Sequence, residues 1–279
     1  MAQGSSGRPA RGPTRILPAV TITYGSYLKV PELLSLQCPL SDGKEHDETL
    51  FIVIHQVYEL WFKQQIHEAN HLQRALEAGD DVTSVATLRR MLTILKTMVA
   101  QIDVLETMSP VSFLSFRSLL ANASGFQSWQ FRDFEFLLGN RNPKALERYP
   151  EASPERVALA RRLETRTLWQ SFLMRLERGG HAIPRELTQE VRTAPTAADE
   201  TLQVTLLSIY KDHPSERSLC ELLVDLDEGI QEWRYRHVKM VERTIGMRQG
   251  TGGSPGAQYL RATLFTALFP DLWAIRDRI

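Results

Sequence analysis

His67-Glu68-Ala69-Asn70-His71 carries the H-E-x-x-H spacing. On a helix that spacing can offer two imidazoles to zinc and a carboxylate to activate water. Helical phase weakens the reading. At ~100° per residue, His55, Tyr58, Phe62, Ile66, Ala69 and Gln73 lie near one apolar centre line. His67 and His71 fall on the opposite side, with Lys63, Gln64 and Arg74. No obvious third ligand follows, so a zinc hydrolase is the weaker expectation.

Two other histidines sit on apolar stripes. His55 shares one with Phe51, Tyr58 and Phe62. His237 shares another with Leu219, Leu223, Leu226, Ile230, Trp233 and Val241, in steps of three and four. A buried imidazole loses solvation of its charged form and tends to stay neutral with a free lone pair. That state suits a metal or a haem iron. It equally suits a core histidine satisfied by hydrogen bonds. Arg234 and Arg236 flank His237 and Arg243 follows. They can meet anionic groups at a pocket edge, porphyrin propionates among them, or simply face solvent.

Arg117 lies in the apolar and aromatic stretch PVSFLSFRSLLANASGFQSWQFR. A guanidinium there requires a partner, and a carboxylate gives the bidentate match. An internal acid or a substrate carboxylate would serve. The run GTGGS at 250–254 lacks the G-K-[ST] ending of a nucleotide-binding loop. Its glycines would let backbone N–H groups approach a ligand, with Thr251 adding a hydroxyl; a flexible turn is the other reading.

The elements that must hold these residues are helical throughout. Apolar periodicity predicts a helix from about 47 to Gly79, which is about 50 Å long at 1.5 Å per residue, and a second over 82–108. Shorter helices are expected near 112–121, 127–138 and 154–178, then over 198–211 and 215–245, with a last one from 257. Residues 179–200 contain a Gly pair and two prolines and read as a mobile connection, a candidate lid. No strand alternation or internal repeat appears, so the expectation is one all-α helical-bundle domain over 21–279. Residues 1–20, rich in Gly, Pro, Ser and Arg, read as a disordered tail.

Composition narrows the function. The 279 residues hold 33 basic and 33 acidic side chains, a balance that disfavours general nucleic-acid binding. Two cysteines are too few for a disulfide framework, which points to the reducing cytoplasm. No apolar run approaches the roughly 18–20 residues of a membrane span. These features alone also allow a helical scaffold without catalysis.

Several longer blocks are more specific. TYGSYLKVPELLSLQ at 23–37, DETLFIVIHQVYELWFKQQIHE at 47–68, SGFQSWQFRDFEFLLGNRN at 124–142, WRYRHVKMVERTIG at 233–246 and GTGGSPGAQYLR at 250–261 resemble the tryptophan 2,3-dioxygenase family, most closely its bacterial form. The resemblance runs in order from about 21 to 273. It implies an all-α homotetramer carrying haem b, active in the ferrous state. It also implies oxidation of L-tryptophan by O2 to N-formyl-L-kynurenine, the opening step of the kynurenine pathway. By position, His237 would be the axial iron ligand, and Ser124 and Gly125 would lie at the haem edge. His55 would orient the substrate near the indole N–H. Phe51 and Leu120 would flank the indole, Arg117 would bind the carboxylate, and Thr251 would contact the ammonium and carboxylate end. Tyr24, Tyr27 and Leu28, within 21–30, would enter a neighbouring subunit's pocket.

Two positions depart from the family pattern. Phe113 stands in the substrate pocket where bacterial relatives commonly place a Tyr, and the loop reads GGSPG rather than GGSSG, so Pro255 removes a backbone donor. A related haem dioxygenase of broader indole specificity is the remaining alternative.

Overall fold

The computed structural model describes residues 21–251 and 256–279. The tail expected over 1–20 and the loop residue Pro255 lie outside the described residues. Every helix or strand assigned among those residues is a helix. The chain divides into two compact units, one ending at Cys38 and one spanning Pro39–Ile279.

In the first unit, α1 (Tyr24–Leu28) and α2 (Val30–Leu33) are joined by Lys29 in the left-handed conformation. Thr23 and Ser26 form a reciprocal capping box at the start of α1. Neither helix contains a buried residue.

The second unit holds α3 (His46–Ala78), α4 (Asp81–Leu105), α5 (Pro110–Arg117), α6 (Trp129–Leu138), α7 (Pro154–Leu163), α8 (Leu168–Arg178), α9 (Arg185–Gln189), α10 (Glu200–Asp212), α11 (Pro214–Ile245), α12 (Ala257–Arg261) and α13 (Pro270–Ala274). Local chemistry sets the breaks. Gly79 ends α3 in the left-handed conformation, and Asp80 caps α4 by accepting from the Thr83 N–H at 3.0 Å. Ser109 caps α5, whose first residue is Pro110.

The long helices α3, α4 and α11 pack side by side, with α6 and α8 against α3. Leu72, Leu76, Leu88, Met91, Leu95, Leu223, Leu226 and Ile230 fill the centre and are almost fully buried. Gly229 lets α11 approach α4 closely, since a Cβ there would lie 2.6 Å from Leu95 Cδ2.

Three expectations need correction. The single helix expected over 154–178 is two. The chain leaves helix after Leu163 and restarts at Thr167, where a capping box with Gln170 begins α8. The helix expected from 257 ends at Arg261 and is followed by turns before α13.

The third correction concerns 179–200, which is fastened rather than free. Leu187 and Thr188 of α9 are buried, and Gln170 Nε2 donates to the Glu190 carbonyl at 2.7 Å. Arg141 is fully buried and donates to the carbonyls of Phe136, Arg162, Leu163, Thr165 and Arg192. The Thr196 N–H reaches the Gly139 carbonyl at 3.1 Å, and the Asp199 N–H reaches Asp271 at 2.7 Å. Glycine and proline made this segment look like loose linker, but its main-chain N–H and C=O groups tie it down.

Candidate active site

One cavity of about 260 Å³ opens between α3, α5, α6 and α11 and is lined by Phe51, His55, Phe113, Arg117, Leu120, Ser124, Gly125, His237 and Thr251. These residues come from stretches up to 200 positions apart, and the helical core brings them together. Tyr24, Tyr27 and Leu28 lie in the first unit and are 78%, 74% and 45% exposed.

His55 and Phe51 are one turn apart on α3, so their rings meet at 4.1 Å. The His55 Nδ1 lies 2.7 Å from the Phe51 carbonyl, an acceptor, which assigns the ring proton to Nδ1 and a lone pair to Nε2. Burial holds this imidazole below its ordinary pKa, opposed by the Phe51 carbonyl and by Glu59. Phe51 also packs on Phe113 and Phe116, at 5.7 and 5.6 Å.

His237 lies on α11 parallel to Trp233, with 6° between the rings and 5.4 Å between centroids. Tyr58, Phe62 and Phe131 surround Trp233 at 4.9–6.2 Å. Burial first, and His55 second, push the His237 imidazole down to about pKa 4. It is therefore uncharged at neutral pH, with its lone pair available.

Arg117 ends α5. Its Nη2 donates to the Gln249 carbonyl at 2.6 Å, while its buried Nε has no hydrogen-bond partner among the described residues. Among the described residues no carboxylate pairs with it, so the internal acid allowed by the sequence is not what answers this charge. Thr251 donates to the Ala123 carbonyl at 2.6 Å. Gln249 and Thr251 thus lay the loop after α11 along the segment after α5, and bring Thr251 to the Arg117 side of the cavity.

Sequence reasoning passed over part of the wall. Glu59, Arg132 and Glu135 line the cavity with Arg234. Buried Glu135 accepts from Arg234 at 2.6 Å and from Arg132. The signal was a charged residue inside the apolar run FEFLL, on the helix where Arg132 sits one turn earlier. Of the arginines near His237, only Arg234 lines the cavity. Arg236 pairs with Asp103 and Glu106, and Arg243 pairs with Glu106. Those two therefore serve helix packing rather than the pocket edge.

The H-E-x-x-H residues do not form a metal centre. His67 and His71 are exposed, whereas Glu68 is buried and held by Arg90 and Gln64.

The donor set suits haem. It combines two imidazoles, His55 and His237, on an aromatic and aliphatic wall with three guanidiniums against two carboxylates, an excess that matches an anionic edge on a flat apolar group. A zinc ion would require three or four clustered ligands, and the cavity wall does not cluster them.

Comparison with known proteins agrees with this chemistry. The family profile described as "Tryptophan 2,3-dioxygenase" matches residues 11–180 and 189–279. A tryptophan 2,3-dioxygenase of Herpetosiphon aurantiacus is 55% identical over 91% of this chain and 97% of its own length. One from Anaeromyxobacter sp. (strain K) is 53% identical over 94% of this chain and 97% of its own. One from Xanthomonas campestris pv. campestris is 41% identical over 92% and 88%. That family implies a haem cofactor. The chain belongs to the tryptophan 2,3-dioxygenase family.

Proposed function

We propose that the cavity binds haem b through His237 and oxidises L-tryptophan with O2 to N-formyl-L-kynurenine, the first step of tryptophan breakdown to kynurenines. The observation that carries this reading is the meeting, in one apolar cavity, of an uncharged imidazole and a guanidinium that lacks a carboxylate. When bound as ferrous haem, the cofactor supplies the activation of O2 for addition across the indole C2–C3 bond.

The chain's own residues bind and orient. Arg117 clamps the substrate carboxylate through the side bearing its unpartnered Nε, and Thr251 contacts the ammonium and carboxylate end. Phe51 and Leu120 flank the indole. The His55 Nε2 lone pair accepts the indole N–H, so this histidine orients rather than acting as a base. Ser124 and Gly125 border the cofactor, and Phe113 adds apolar wall without a hydroxyl. The aromatic lining keeps water out, so the oriented pair meets at high effective concentration. Both oxygen atoms end in the product, and no external reductant is consumed.

The working assembly is a homotetramer in the cytoplasm. Helix α1 exposes Tyr24, Tyr27 and Leu28 with no buried face of its own, a pattern that favours burial against a neighbouring subunit's pocket. Both cysteines are free, and no helix among the described residues is long and apolar enough to cross a membrane.

The test is His237→Ala. The variant is expected to remain helical, to retain little haem and to have no turnover. Full haem loading with normal activity would overturn the ligand assignment.

A further inference from the structure

At the opposite end of α11 from His237, three potential metal ligands face one another. His181 follows the Gly179–Gly180 turn after α8, His213 is the N-terminal cap residue of α11, and Glu216 lies in its first turn. One ligand atom from each lies within 4.8 Å of the others. The two imidazoles meet edge to face with centroids 4.6 Å apart. The Glu216 carboxylate is 3.9 Å from His181 Nε2, beyond hydrogen-bond reach.

We infer that His181, His213 and Glu216 form a binding site for a divalent ion of the zinc class, which ties the connection after α8 to the start of α11. Two imidazoles and one carboxylate are a ligand set that zinc accepts, with water in the fourth position. Ligand atoms around a tetrahedral zinc stand roughly 3.3 Å apart, from bonds of about 2.0–2.1 Å. Small rotamer changes therefore close the site.

The surroundings keep the ligands in their binding state. Burial first, then His213 and Arg175, hold the His181 imidazole below its ordinary pKa, with Glu216 opposing. Arg175 is the competing cation, 3.9 Å from Glu216, but its charge is answered by a bidentate pair with Asp81 at 2.6–2.7 Å. The backbone is set as well. Gly180 has φ +90°, and the His181 N–H returns to the Leu176 carbonyl at 3.2 Å. A Cβ on Gly179 would lie 2.9 Å from Arg175 Nη1, so the turn packs directly on the residue that steadies Glu216.

The site is separate from the catalytic cavity. Glu216 and His237 are about 30 Å apart along α11 at 1.5 Å per residue. Of the three ligands, His181 falls outside the stretches matched by the family profile and His213 and Glu216 fall within them.

The experiment uses tag-free, haem-loaded protein treated with chelator and titrated with zinc chloride by calorimetry, with thermal unfolding alongside. The expected result is one zinc per chain and an unfolding midpoint that rises with zinc. His213→Asn keeps a side chain that caps helices well, and Glu216→Gln keeps the shape. Each should weaken zinc binding by at least about tenfold, while unfolding without zinc and tryptophan turnover stay near those of the parent. The double variant His67→Asn/His71→Asn should bind zinc as the parent does. No zinc binding by the parent, undiminished binding in His213→Asn, or binding lost in the double variant would each overturn the inference.

Discussion

The ring of His55 is pinned by its own helix: Nδ1 sits 2.7 Å from the carbonyl of Phe51, one turn earlier. A backbone acceptor on one nitrogen leaves the other as an acceptor facing the cavity. The same contact favours the protonated ring slightly, yet burial outweighs it, so the imidazole ionises below its ordinary value. Orientation of the indole N–H requires the neutral ring. The acid limb of kcat/KM attributable to His55 should therefore lie below about pH 6.5, the ordinary imidazole value. In His55→Phe the indole N–H loses its acceptor, which costs about 1–3 kcal/mol, and that limb should vanish from the pH profile. A limb unchanged in the variant would assign it to another group.

Among the described residues, Arg117 is held by the Gln249 carbonyl and by no acid. Arg117→Leu should lower kcat/KM for L-tryptophan by the equivalent of about 2–5 kcal/mol, as when one member of a buried charge pair is truncated. Discrimination against tryptamine, which lacks the carboxylate, should collapse with it. If the parent already turns over tryptamine and L-tryptophan equally, the clamp is wrong and the broader indole dioxygenase reading gains.

Arg141 tests the fastening of 179–200. Its guanidinium reaches five main-chain carbonyls and no carboxylate, and burial lowers its pKa to about 10. Arg141→Met would take the donor from the Leu163, Thr165 and Arg192 carbonyls, at about 1–3 kcal/mol for each that water cannot reach, while Phe136 keeps the Gly139 N–H and Arg162 keeps Thr165. Denaturant unfolding should show a loss of several kcal/mol, and limited proteolysis should cut near Arg192. Turnover at low temperature should survive. Parent-like stability and protease resistance would mean that the connection is held by something else.

The long helices were legible because α3 and α11 are amphipathic over more than thirty residues, where one stray polar side chain cannot disturb the period. The histidines on those stripes were legible for the same reason. An imidazole where a leucine belongs stands out, and His55 and His237 do line one cavity. The break at Thr167 was less visible because the intervening Glu164-Thr165-Arg166-Thr167 contains neither glycine nor proline, although the T-x-x-Q cap was present. Arg141 and the 179–200 connection were not legible. The segment is held through its own main-chain groups by partners far away in sequence, such as Arg141, Gln170, Gly139 and Asp271, and no local pattern encodes them. The Glu135 pairs with Arg132 and Arg234 were half visible, as a charge inside an apolar run whose partner on α11 lies 99 positions away.

Tyr27 tests the assembly. Tyr27→Ala in the exposed α1 should leave haem binding intact but reduce turnover if this segment completes a neighbour's pocket. Refolding an equal mixture of Tyr27→Ala and Arg117→Leu chains should then restore part of the activity. Mixed assemblies contain pockets with an intact Arg117 and an intact Tyr27 from different chains. No recovery from the mixture, with both chains sedimenting as one assembly, would place Tyr27 in its own subunit's function.

The most direct measurement is turnover of L-tryptophan by the haem-loaded, reduced protein under isotopically labelled O2, with the product analysed by mass spectrometry. The expected product is N-formyl-L-kynurenine carrying both labelled atoms, made without any added reductant during turnover. A product carrying one labelled atom, a hydroxylated tryptophan, or no reaction by protein with full haem content would contradict the account.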